Sequence, residues 1–201
     1  MKIAIYTDGS CYPNPGPEGG WGAVITTPDT AVLACGRTAL GYGSMETSKG
    51  IVTTNNRQEL MGILMGLRLL EADGHHISVW SDSEWAIKSI SGEYRSEKNK
   101  DLLDEIRAEI HRLGVAHCKF RHVKGHAGDP LNELADRLAG QGWAAVDELE
   151  IQDCRWEGRL IELIEFLPRP RAEADWFTST RQPVASRTLV PYYQTIRISF
   201  T

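Results

Sequence analysis

The chain has 201 residues, of which 41% are hydrophobic and 24% charged, and its formal net charge is −5. That is enough for one domain with a full core and some excess chain, and no run reaches the apolar length of a membrane span. Net acidity weighs against a broad nucleic-acid-binding face, although Arg57, Lys88, Arg95, Lys98, Lys100, Lys119, Arg121 and Lys124 allow a small basic one.

Met1 to Tyr6 is apolar but ends at Asp8 with no cleavage-site pattern, so it reads as a first strand, Lys2 to Asp8, of a cytoplasmic protein. Pro13 to Gly20 is a turn-rich loop. Trp21 to Thr27 and Ala31 to Ala39 read as two further strands that form a meander with the first. Gly41 to Thr54 is polar and rich in glycine, and reads as a loop. Asn55 or Asn56 then caps a helix, with Glu59 at the capping-box offset from Asn56. Leu60, Ile63, Leu64, Leu67 and Leu70 follow at helical spacing, and this helix is expected to end near Asp73-Gly74. Ile77 to Ser81 is a short strand, followed by helices over about 83–90 and 102–113. Cys118 to Val123 is another strand, and Pro130 opens a last helix running towards Val146. Strands alternating with helices after a meander imply an α/β fold with a mixed five-stranded sheet and helices on both faces.

Four acids stand in or beside the ends of different elements. They are Asp8 in Thr7-Asp8-Gly9-Ser10, Glu59 in Thr53-Thr54-Asn55-Asn56-Arg57-Gln58-Glu59-Leu60, Asp82 in Ser81-Asp82-Ser83, and Asp136 in Asn132-Glu133-Leu134-Ala135-Asp136. A fold that gathers them makes an all-oxygen site for hard divalent cations. Crowded without metal, such carboxylates repel, and some of their pKa values should rise. Val123-Lys124-Gly125-His126-Ala127-Gly128 precedes the last acid. The cysteines Cys11, Cys35, Cys118 and Cys154 form no CxxC pair and read as reduced thiols. His75, His76, His111, His117 and His122 read as structural or surface groups, and Trp21, Trp80 and Trp85 as core residues.

In this order and spacing the motifs resemble type 1 ribonuclease H, over roughly residues 1 to 145. The resemblance implies a ribonuclease H domain over 1–146 that binds RNA–DNA hybrids and hydrolyses the RNA strand. It implies two Mg²⁺ ions, with Mn²⁺ as a substitute. Asp8 would touch both ions, Asp136 would share the one on the side of the attacking water, and Glu59 and Asp82 would hold the one on the leaving-group side. In-line displacement would leave a 5′-phosphate and a 3′-hydroxyl. His126 would be a mobile residue that assists proton transfer or product release, a role suited to a side chain titrating near neutrality. Asn14, Thr54, Asn55, Asn56 and Arg57 match family positions that contact phosphate and minor-groove edges. The expected species is a monomer with no membrane partner. The rival readings are a nuclease of the same fold with another substrate and a non-catalytic hybrid-binding module.

Two departures from the family pattern stand out. Ile90 to Asp101 is short where some members carry a long Trp- and Lys-rich protrusion, which places the chain in a handle-less branch. Met45 to Ile51 reads as an insertion, a candidate flap near the substrate. Residues 147–201 match no motif. Their apolar content favours a strand-rich extension packed on the core, and the alternation in Thr195 to Phe200 reads as a strand. Docking of a protein partner is the other role open to this tail.

Overall fold

The computed structural model describes residues 1–39, 43–48, 50–141, 151–156 and 193–200. Alternation of apolar side chains produces β1 (Lys2–Ser10), where Ile3, Ile5 and Thr7 point into the core. It pairs antiparallel with β2 (Glu18–Thr26), and β2 pairs antiparallel with β3 (Thr30–Ala39), as the meander predicts. β6 (His76–Ser81) lies parallel to β1 on its other side, and β7 (Cys118–His122) lies parallel to β6. These five strands form the expected mixed sheet, in the order β7-β6-β1-β2-β3.

Two strands extend it. β9 (Tyr193–Phe200) pairs antiparallel with β3, and β8 (Ile151–Trp156) pairs parallel with β9 at the outer edge. The strand expected at the C-terminal alternation is therefore present, and it covers the β3 edge that an isolated meander would leave open. The boundary expected at 146/147 lies outside the described residues.

Helices cover both faces. On one face α1 (Asn55–Arg68), α2 (Glu84–Ser91) and α3 (Lys100–Leu113) close a core of Ile5, Trp21, Leu60, Leu64, Leu103 and Ile106. On the other, α4 (Pro130–Gln141) sets Leu134, Ala135 and Leu138 against Val24 and Leu33. No helix among the described residues is long and apolar enough to cross a membrane.

Four local expectations need correcting. The cap of α1 is Thr54, not Asn55 or Asn56: its backbone is extended and its side chain accepts from Arg57 N at 3.3 Å. That moves Glu59 out of any capping box. The helix also stops at Arg68, where Leu69 and Leu70 turn back onto Met65 and Leu67 carbonyls instead of running on to Asp73. The 41–54 stretch holds a small hairpin, β4 (Met45–Thr47) with β5 (Gly50–Val52). Trp21 is fully buried and Trp85, half-buried, packs against the same core, but Trp80 is half-buried outside it. Trp80 stands between Tyr6, stacked at 5.7 Å, and the Arg121 guanidinium at 5.4 Å, three residues in cross-strand register.

Candidate active site

The register of β1 and β6 places Thr7 opposite Ser81, so Asp8, inside β1, and Asp82, just past the end of β6, emerge side by side where the parallel pairing stops. Strand ends of this kind are where open α/β sheets present ligands. Glu59 arrives from α1 and Asp136 from α4, on opposite faces. Each helix reaches the sheet because a glycine lies beneath it. A Cβ on Gly9 would collide with the backbone of Gln58 and Glu59, and one on Gly22 with that of Ala135 and Ala139. The Gly of the Thr-Asp-Gly-Ser motif thus has a packing reason to be there.

Asp8, Glu59 and Asp82 each offer a carboxylate oxygen, and the three atoms lie within 4.8 Å of one another. Asp8 is only 7% exposed. Burial, then the Asp82 charge, push its pKa up to about 8, against a lowering pull from the Gly9 N–H at 2.7 Å. Glu59 is raised well above the carboxylate range, by burial first and by Asp8 and Asp82 next. Asp136 adds to the repulsion felt by both. The Glu59 Oε2 atom is enclosed without a hydrogen-bond partner. Buried acids that repel one another around an unmet oxygen fit a hard divalent cation, which takes oxygen ligands and removes the repulsion.

The His126 loop closes one side. His126 is 82% exposed, has a positive φ of 49°, and holds Nδ1 4.0 Å from Asp136 Oδ2. Sequence reasoning missed two contacts that dock this loop on Asp82. The His122 ring nitrogen Nε2 lies 3.1 Å from the Asp82 carbonyl oxygen, and a Cβ on Gly125 would stand 2.5 Å from Asp82 Oδ2. The residues that meet here are forty positions apart, so no local spacing could signal them.

The residues expected to bind substrate divide into two groups. Asn14 Oδ1 accepts from Asn55 N at 3.2 Å, and Asn55 Oδ1 accepts from Cys11 N at 2.7 Å, which ties the Pro-rich loop to the start of α1. Asn56 is exposed, and with Asn14 and Thr54 it lines an open groove of about 710 Å³. Arg57 faces inward instead. It is 2% exposed, and its five N–H groups meet Gly43 O, Ser44 O, Asn99 Oδ1 and both oxygens of Asp101. A guanidinium has five donors, so none is left for a phosphate. Arg57 lines the same groove, and its donors clamp the groove's segments together.

Residues 1–144 match the RNase H family model. The chain belongs to the ribonuclease H family. The Ribonuclease H of Chromohalobacter salexigens is 39% identical over 165 residues, covering 74% of this chain and 87% of that one. The N-terminal RNase H domain of rv2228c from Mycobacterium tuberculosis, solved as a fusion with maltose-binding protein, is 26% identical. It superposes with a TM-score of 0.54 over 71% of this chain and 93% of that one. LC11-RNase H1 from a compost metagenome, solved in complex with an RNA/DNA hybrid, shares the fold at 22% identity and a TM-score of 0.51, over 70% of this chain and 98% of that one. The chain is a ribonuclease H enzyme, of a metal-dependent family that hydrolyses the RNA strand of RNA–DNA hybrids.

For this ribonuclease H the Gly125 contact makes a sharp prediction. Gly125→Ala should displace the Asp82 carboxylate or the His126 loop by enough to lower kcat about 10²-fold. The melting temperature should stay nearly unchanged, because the loop lies outside both cores. Paired kinetics and thermal melts check this, and unchanged kcat would show that the contact relaxes freely.

Proposed function

We propose that the chain is an endonuclease that cuts the RNA strand of RNA–DNA hybrids with two Mg²⁺ ions, leaving 5′-phosphate and 3′-hydroxyl ends. The convergence of Asp8, Glu59 and Asp82 within 4.8 Å, with Asp136 alongside, carries the reading. Asp8, Glu59, Asp82 and Asp136 would hold the metal. When bound, two such ions neutralise charge on the attacking and leaving oxygens, and Mn²⁺ can serve in place of Mg²⁺.

The protein's own part is to collect and desolvate negative charge. Asp8 and Glu59 retain proton between them near neutrality in the metal-free state and release it on loading. His126, exposed on a loop flanked by glycines and 4.0 Å from Asp136, would shuttle a proton at the open side of the cluster or help the product leave. Asn14, Thr54, Asn55 and Asn56 supply amide and hydroxyl groups of the kind that read 2′-hydroxyls and sugar edges across the minor groove of an A-like duplex. Residues 1–146 would act as the catalytic unit of a cytoplasmic monomer, with the segment from 147 adding β8 and β9 to its sheet.

The test is cleavage of an end-labelled hybrid in Mg²⁺, beside single-stranded RNA, double-stranded RNA and double-stranded DNA. Hybrid-only cleavage, with product mobility that phosphatase shifts at the 5′ end, is expected. Hybrid binding without cleavage would point to a binding module, and cutting of double-stranded RNA to a nuclease of the same fold with another substrate.

A further inference from the structure

We propose that the β4–β5 hairpin is a wall of the substrate groove that bears on the uncut DNA strand, with Met45 at the point of contact. The inference rests on the hybrid-hydrolase reading above. The hairpin root, Ser44 and Met45, lines the groove together with Thr54 and Asn56 at the start of α1 and with Lys98 and Lys100 around the start of α3. The hairpin falls on Met45 to Ile51, the segment that reads from the sequence as an insertion.

The wall is built to stay in place. Arg57 Nε donates to Gly43 O at 2.7 Å and Nη2 to Ser44 O at 3.0 Å, and Thr53 Oγ1 gives Gly43 O a second bond at 3.2 Å. Thr53 itself is bridged to Gly16. Beyond that root, Met45 pairs with Val52, Glu46 with Ile51 and Thr47 with Gly50, and Thr47 Oγ1 closes the turn on Gly50 O at 2.7 Å. An anchored root beneath a closed hairpin can bear on a ligand without first having to be ordered.

Charge and position indicate the occupant. Lys98 and Lys100 line the groove with the hairpin root, while the Asp101 carboxylate is taken up by Arg57. Glu97 is the remaining acid in the groove, so two cations face a polyanion against one anion. Asn56 in the groove and Glu59 in the cluster are three residues apart on α1, a rise of about 4.5 Å. The groove therefore opens beside the carboxylates. The strand that meets the carboxylates is the one that is cut, so the backbone held on the far side of Asn56 belongs to its partner.

Met45 is half-buried and uncharged at the lip of this wall, so a charge placed there should act on the strand directly. On a 20-base-pair hybrid in Mg²⁺ at low salt, Met45→Lys should lower KM about fivefold and Met45→Glu should raise it about fivefold, with kcat within about twofold. The split should shrink as salt rises. A purely structural role would move both variants the same way, and that result, or equal KM values, would overturn the proposal. Replacing residues 45–52 with two glycines should raise KM by about tenfold at unchanged kcat if the wall grips substrate. Neutral methylphosphonates in the DNA strand should abolish the Lys–Glu split; if neutralising the RNA strand abolishes it instead, the assignment to the DNA strand is wrong. Failure of the unaltered chain to cut any hybrid would defeat the functional reading. Active variants with equal KM would defeat only the hairpin's role.

Discussion

Asp8→Asn is expected to abolish hybrid cleavage, by about 10³-fold or more, and at the same time to make the metal-free protein more stable. The two effects share one cause. Asp8 is buried, and its carboxyl is pushed up to about 8 by desolvation and by Asp82 and Asp136. Native Asp8 therefore holds a proton that unfolded Asp8, titrating near 3.8, has lost. Between those values the folded state binds more protons than the unfolded state, so stability falls as pH rises from about 4 through about 8. Asparagine keeps the shape and removes the charge. In EDTA at pH 8 the variant should melt about 5 °C higher than the parent, if the relief is on the order of 1–3 kcal/mol. At pH 5 the gap should be much smaller, and below about pH 4 it should close, because unfolded Asp8 is then protonated as well. Mg²⁺ should stabilise the parent, more so at pH 8 than at pH 5, and have little effect on the variant. Calorimetry at two pH values with and without Mg²⁺ checks all of this. A variant less stable than the parent at pH 8 would mean that the cluster is not under electrostatic strain.

The acid cluster was legible in the sequence because each carboxylate sits in a motif of its own, and because the first strand was read as ending at Asp8 and the fourth just before Asp82; β1 in fact runs on to Ser10. The parallel pairing of β1 with β6 brings those residues together; the order of strands and helices implied a mixed sheet but not this pairing. Other features depended on partners far away in sequence. Thr54, Asn55 and Asn56 are all competent caps, and only the extended backbone at Thr54 decides among them. The hairpin escaped because three-residue strands are too short to show alternation, and Glu46 and Thr47 are both exposed. The C-terminal strand showed in its alternation, but nothing in it named β3 as its neighbour. Trp80 seemed a core residue from its type; the Tyr6 and Arg121 side chains that flank it come from two other strands.

Arg57 shows the same limit and carries the second large prediction. From the sequence it is a cation next to two asparagines in a substrate-binding motif, and an outward phosphate contact is the natural expectation. Its partner Asp101 is 44 residues away, and the pair turns the side chain inward. There it joins three walls of the groove: the hairpin root at Gly43 and Ser44, the first turn of α1, and Asn99–Asp101 at the start of α3. Arg57→Ala removes every one of these bonds and leaves the buried Gly43 carbonyl with only the longer Thr53 Oγ1 bond at 3.2 Å. Asp101 is 57% exposed at its side chain, so water can recover that carboxylate, and the loss is less than for a fully buried pair. We expect destabilisation of about 3 kcal/mol and a melting temperature lower by about 6–12 °C. Arg57→Lys should recover only a small part of this, because one ammonium cannot span acceptors on three segments. Asp101→Asn should cost about 1 kcal/mol, since it leaves the carbonyl bonds intact. In assays below the melting transition, the alanine variant should lose kcat/KM chiefly through KM, because Glu59 is anchored by the packed body of α1 while the groove walls separate. Equal stability of Arg57→Lys and the parent would show that charge alone holds the walls. A fall in kcat at unchanged KM would place Arg57 in control of the carboxylates, not of the groove.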